Sequence, residues 1–167
     1  DEWNIDSLYS GTQKCLSCPP GLSPVSFSDR AVKKLLKRKS KVPNWYLDLS
    51  MITKYWSGKS RVYHHTAPVS MIVALREALL IVLEEGLETR FTRHKKNADA
   101  LRAGLAALGM ELASPEGYRL DQITPVWIPE GIDDLQVRQS LLGDYKIEIG
   151  RGLGQRPAGD RGCCFIW

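Results

Sequence analysis

Tyr9-Ser10-Gly11-Thr12-Gln13-Lys14-Cys15-Leu16-Ser17-Cys18-Pro19-Pro20-Gly21-Leu22 is the stretch on which the reading of this chain turns. Ile5 to Tyr9 has strand character and delivers the chain into a polar loop that carries Lys14. Pro19-Pro20-Gly21 then forces a turn, and Pro24 to Phe27 is a second strand candidate. A lysine at the end of a strand is held at a fixed point. Gly11 permits close backbone approach, and Ser10, Thr12 and Gln13 can donate to a phosphate. Taken alone, such a lysine is most simply a surface charge.

Outward from this segment the chain reads as mostly helical, with short strands. Ser28 can cap a helix from about Asp29 to Lys39, with Ala31, Val32, Leu35 and Leu36 on its apolar side. Asp48 to Trp56 is a short helix, and Arg61 to Pro68 is a loop. Thr66 and Pro68 open a long helix whose Met71, Ile72, Leu75, Leu79, Val82 and Leu83 follow helical spacing. Gly86 interrupts it, and a second helical stretch runs from Leu87 to Leu108 and stops at Gly109. Beyond it, Glu111–Ala113, Thr124–Ile128 and Ile147–Ile149 read as strands. Asp133 to Leu142, with a D-x-x-Q start, reads as a helix stopped by Gly143. A domain boundary falls near Gly86, and the strands and helix beyond Gly109 read as a small α+β domain.

Composition narrows the class. Apolar residues are 43% and charged residues 25% of 167, the balance of an ordinary globular protein rather than a disordered one. The longest apolar run, Met71 to Leu83, carries Arg76 and Glu77, so no membrane span is expected. No signal peptide is expected from the start Asp-Glu-Trp-Asn. The net charge of +4 collects between Arg30 and Lys41. No aromatic residues interleave there, so a solvated helix face is the simpler reading than a nucleic-acid patch. Cys15, Cys18, Cys163 and Cys164 have no histidines spaced to complete a zinc set, so no metal is expected. Cys15 and Cys18 read as ordinary thiols in a reducing compartment.

Several blocks taken together resemble the alanine–glyoxylate and serine–pyruvate aminotransferases, class V members of the fold-type I enzymes that use pyridoxal 5'-phosphate (PLP). The lysine stretch 9–22 is one. Trp45-Tyr46-Leu47-Asp48, Tyr63-His64-His65-Thr66-Ala67-Pro68, Leu75-Arg76-Glu77-Ala78-Leu79, Glu84-Glu85-Gly86-Leu87-Glu88 and Ile147-Glu148-Ile149 follow in the same order. The resemblance covers about residues 1–154. It implies that residues 1–85 close the large PLP-binding α/β domain and that 86–167 give most of the small C-terminal domain.

The resemblance also implies roles. Lys14 would hold PLP as a Schiff base and shuttle a proton between the substrate α-carbon and the cofactor. Gln13 would contact the phosphate. Tyr63 and Thr66 would reach the phosphate of a neighbouring subunit's cofactor, which implies a homodimer. The reaction would be ping-pong transfer of an amino group from alanine or serine to glyoxylate or pyruvate. Residue by residue, blander readings stand beside these: Thr66 as a helix cap, Tyr63 as packing, His64 and His65 as structural, Arg76 and Glu77 as a helix-face pair, and Trp45, Tyr46 and Trp56 as core or interface aromatics. Asp6 is not assigned as the partner of the pyridine nitrogen, which the family places further upstream.

The family extends before Asp1 with the phosphate loop, the ring-stacking residue and that aspartate, so the chain reads as a C-terminal fragment, expected to be inactive by itself. After Gly154 the family carries an apolar–Arg–apolar–Gly segment whose arginine clamps the substrate carboxylate. Neither Arg156 nor Arg161 stands in that context here, and a frameshifted or misjoined end is the reading of that departure. The alternatives are a class V PLP lyase such as a cysteine desulfurase, which needs a mobile cysteine, and a non-enzymatic truncated product. A cytoplasmic location is expected if the source is bacterial, a peroxisomal or mitochondrial one if it is eukaryotic.

Overall fold

The structure, a computed structural model, describes residues 2–57, 60, 62–152 and 162–166. The chain divides into two compact units, Asp1–Val82 and Leu83–Trp167.

In the first unit, β1 (Ser7–Tyr9) and β2 (Val25–Phe27) pair antiparallel, with Leu8 opposite Ser26. The ladder is lengthened by Ser10 N–H on the Pro24 carbonyl and Ser28 N–H on the Asp6 carbonyl, each at 3.0 Å. Every residue of both strands is exposed. A two-stranded sheet is marginal by itself, and here side chains brace it. Asp6 accepts from the Ser28 hydroxyl at 2.6 Å and from both Nε and Nη2 of Arg30 at 2.8 Å. Ser28 in turn caps α1 (Asp29–Leu36) by accepting from the Ala31 amide at 3.2 Å. Asp6 therefore ties the entry of β1 to the first turn of α1. The hydrogen bonds from Arg30, and then from Ser28, hold its carboxyl below the ordinary carboxylate range.

The helix α1 ends at Leu36 rather than near Lys39. Continuing it would stack Lys33 over Lys37 and Lys34 over Arg38, like charges at i,i+4. Arg38 instead turns its Nε to the Ser40 carbonyl at 3.1 Å. Helix α2 (Leu49–Ser57) starts behind Asp48, whose carboxylate accepts from the Ser50 amide at 3.0 Å and from its hydroxyl at 2.6 Å. Helix α3 (Val69–Glu85) opens with the Pro68 carbonyl taking the amides of Met71 and Ile72. Its buried residue is Ala78, while Val69, Val73, Ile81 and Leu83 are exposed.

In the second unit, Gly86, at φ +77°, breaks the helical path after α3. That positive φ suits glycine and no β-branched residue. Helix α4 (Leu87–Ala107) follows and buries Ala98 and Leu105, two turns apart on one face. Arg90 and Arg93 both bind the Glu85 carboxylate, at 2.9 and 2.5 Å. They brace the break and hold that carboxyl below its ordinary range, Arg93 foremost.

Strands β3 (Thr124–Trp127), β4 (Gly150–Arg151) and β5 (Cys163–Ile166) form an antiparallel sheet in the order β3-β5-β4. Helix α5 (Asp134–Tyr145) is capped by Asp133, which accepts from the Leu135 and Gln136 amides. Val137 of α5 shares an apolar cavity with Val126, Cys164 and Ile166 of the sheet.

Three expectations change here. Helix α5 runs through Gly143 and ends where Lys146 turns left-handed at φ +57°, its N–H on the Leu141 carbonyl. The last predicted strand shifts from Ile147–Ile149 to Gly150–Arg151, because Ile147 N–H is spent on the same Leu141 carbonyl. Glu111–Ala113 is reduced to a single bridge, Leu112 to Val126. The segment that departs from the resemblance supplies β5, the middle strand of the sheet, and β5 contains no arginine. Arg156 and Arg161 lie outside the described residues. Among the described residues no helix is long and apolar enough to cross a membrane.

Candidate functional site

The lysine loop is built around Thr12, not Lys14. Thr12 is fully buried. Its hydroxyl reaches the carbonyls of Pro19 and Leu22, each at 3.4 Å, and its own carbonyl accepts from the Cys18 amide at 3.1 Å. The Ser17 amide closes a turn on the Lys14 carbonyl at 2.9 Å. The loop is then pinned to α3. The Cys18 thiol, 8% exposed, points at the Ala74 carbonyl 3.7 Å away. Gly21, at φ +136°, lies so close to Met71 that a Cβ there would meet its sulfur at 2.5 Å. A backbone crossed by this many bonds presents Lys14 at one place on its rim.

Lys14 and Gln13 are both exposed on this chain. The interior position in this loop belongs to Thr12, two residues before the lysine. The Gln13 amide folds back over Gly11, where a Cβ would stand 2.7 Å from its oxygen. Lack of a side chain at residue 11 thus leaves room for an amide beside the lysine.

Tyr63 and Thr66 are brought together. Their hydroxyls meet at 2.6 Å on the turn before α3. This contact uses one of the pair's two hydroxyl protons, and α3 starts three residues after Thr66, at Val69. Between them His64 is buried to 2% exposure. Its ring stacks on Trp45 at 4.3 Å, and its Nε2 donates to the Trp45 carbonyl at 3.1 Å. Its Nδ1 meets Nδ1 of His65 at 2.7 Å. Tyr46 lies edge-on to His65, and Tyr55 edge-on to Tyr63. Trp45, Tyr46, Tyr55, His64 and His65 thus form a cluster of rings beside the hydroxyl pair, with His64 buried in it. Trp56 stays 72% exposed. Arg76 and Glu77 do pair on the surface of α3, at 2.6 Å.

The donors available suit a phosphate. The hydroxyl pair, one of whose protons is engaged in the mutual contact, and one carboxamide are neutral groups able to donate to a dianion, and a primary amine stands on the loop that carries the carboxamide. Among the described residues no cluster of histidine, cysteine or acidic side chains could hold a metal ion. No disulfide joins the four cysteines. Cys163 and Cys164 are half-buried in β5 and flanked by strands on both sides. That is the opposite of the mobile loop cysteine a desulfurase requires.

The aminotransferase class-V model matches residues 1–158, and the chain belongs to that family. The solved structures similar to it are PLP-dependent aminotransferases of fold type I. It is 40% identical to the (S)-ureidoglycine–glyoxylate transaminase of Bacillus subtilis, over 92% of this chain and 41% of that protein. It is 41% identical to the alanine–glyoxylate aminotransferase of Rattus norvegicus, over 96% of this chain and 39% of that one. The crystal structure of alanine–glyoxylate aminotransferase from Nostoc sp. superposes with a TM-score of 0.87 at 44% identity, over 99% of this chain and 43% of that one. The chain thus spans about two fifths of the length of the relatives it matches.

Proposed function

We propose that this chain supplies the cofactor lysine and part of the phosphate cup of a PLP-dependent transaminase. The carrying observation is the lysine loop itself, a backbone locked by buried Thr12 at the end of β1 that offers one amine beside a carboxamide. Bound there, PLP supplies the electron sink for loss of the substrate α-proton. The Lys14 amine holds the aldehyde carbon and then carries that proton. The Gln13 amide donates to the phosphate. With a second copy's cofactor bound, Tyr63 and Thr66 would turn their hydroxyl protons from each other to its phosphate, so the active assembly is a homodimer. Residues 1–85 close the large domain, and 86–167 build the small one.

The amino acceptor is a 2-oxo acid, glyoxylate in the first place. Both named relatives carry glyoxylate in their names, while their amino donors differ. Alanine or serine is the donor of this reading. Desulfuration of cysteine is disfavoured by the half-buried positions of Cys163 and Cys164 in β5, between its partner strands.

The test is cofactor uptake. Wild-type protein incubated with PLP should keep a visible absorbance band through gel filtration, and Lys14→Ala should lose it. A band that survives in Lys14→Ala would refute the assignment.

A further inference from the structure

Two adjacent histidines in hydrogen-bond contact constrain each other's protons. The Trp45 carbonyl can only accept, so His64 Nε2 must carry a proton to make its 3.1 Å contact. In the neutral ring, His64 Nδ1 then holds a lone pair. The 2.7 Å contact between the two Nδ1 atoms requires His65 to donate from its Nδ1. Its lone pair is left on Nε2. This is the reverse of the tautomer that prevails for a histidine side chain in water.

We infer that His64 and His65 form a tautomer-locked pair that positions the Tyr63 and Thr66 hydroxyls. The two rings occupy the two residues between those hydroxyls. His64 faces inward, stacked on Trp45 and fixed by two hydrogen bonds, and His65 is tethered to it. Tyr46 and Tyr55 stand against the His65 ring, at 5.3 and 6.0 Å between centroids. With residues 64 and 65 held, the turn has one way to close, and it brings the exposed Tyr63 and Thr66 to 2.6 Å. His65 is thus a positioning residue acting through its neighbours. The inference rests on the reading of Tyr63 and Thr66 as phosphate donors only for its functional consequence, not for the lock.

The test uses the full chain, labelled with 15N in its histidine rings. Long-range 15N–1H spectra should show residue 64 protonated at Nε2 and residue 65 at Nδ1. Finding residue 65 protonated at Nε2 alone would overturn the lock. Two variants separate position from presence. His65→Asn keeps an N–H near the Nδ1 position, whereas His65→Gln moves it toward the Nε2 position. The Tyr63 ring signals should stay at their wild-type shifts in His65→Asn and move in His65→Gln. Equal behaviour of the two variants would overturn the positioning role. PLP is the probe for the consequence: its affinity should fall about tenfold in His65→Gln and be largely restored in His65→Asn. Failure of wild-type protein to bind PLP would count against the phosphate role of Tyr63 and Thr66, while the protonation pattern seen by NMR would still decide the lock.

Discussion

The imidazole of His64 lies nearly parallel to the indole of Trp45, 4.3 Å between centroids, and the same histidine donates to that tryptophan's carbonyl at 3.1 Å. One residue therefore binds the 45–48 turn both by its face and by its edge. Removing the ring would leave a cavity and strip the Trp45 carbonyl of one of its two donors, leaving the Asp48 amide at 3.2 Å. His64→Ala should cost about 3 kcal/mol of stability. Urea unfolding of the variant against wild type measures this, and a shift in midpoint too small to resolve would contradict it.

Two glycines make opposite predictions. Gly21 sits at φ +136° against Met71, so Gly21→Ala adds both backbone strain and a clash. It should lose roughly 1–3 kcal/mol, softened only as far as the methionine can swing away. Gly104 lies inside α4 with open space where its Cβ would be. Gly104→Ala should gain about 1 kcal/mol through helix propensity. Thermal unfolding of the pair should bracket wild type from both sides.

Acid should weaken the β1–α1 clasp. Asp6 has its carboxyl held below the ordinary value of 3.8, first by the Arg30 hydrogen bond and then by Ser28. A group with a depressed folded-state pKa stabilises fully above its unfolded value and loses that contribution as pH falls through the folded one. Asp6→Asn should therefore melt below wild type near neutral pH, and the gap should close as the pH drops beneath 3.8. A gap unchanged by acid would show that Asp6 does not act through its charge.

Much of this architecture is legible in the residues themselves. Ser28 and Asp133 mark helix starts because their side chains satisfy amides that helix geometry leaves unpaired, and both caps form. Gly86 marks the break because only its backbone takes φ +77° without strain. The end of α1 depends on charge stacking among its own lysines, which a periodicity of apolar residues does not weigh. Strand β5 is not legible, since a four-residue strand without alternation is fixed by its partners β3 and β4 and not by its own pattern. At the site, Lys14, Gln13, Tyr63 and Thr66 come from family resemblance. Thr12 and His64, which hold those groups in place, emerge only once burial is known, because threonine and histidine carry no signal of depth in a sequence.

The basic run between Arg30 and Lys41 divides in the folded chain. Arg30 is committed to Asp6 and Arg38 to Ser40, while α1 buries no residue. The charges of this segment serve local structure in part, and binding of the full chain to duplex DNA should be weak and vanish at moderate salt. Tight binding that resists salt, measured by fluorescence anisotropy, would make this face a nucleic-acid site.

On the proposed assignment, a single amine on the loop held by Thr12 would hold the cofactor. Borohydride reduction of protein mixed with PLP, followed by peptide mapping, tests it most directly. A single pyridoxyl mass increment on the peptide containing Lys14 is the predicted result. Increments spread over the lysines from Lys33 to Lys41, unchanged in Lys14→Ala, would contradict it.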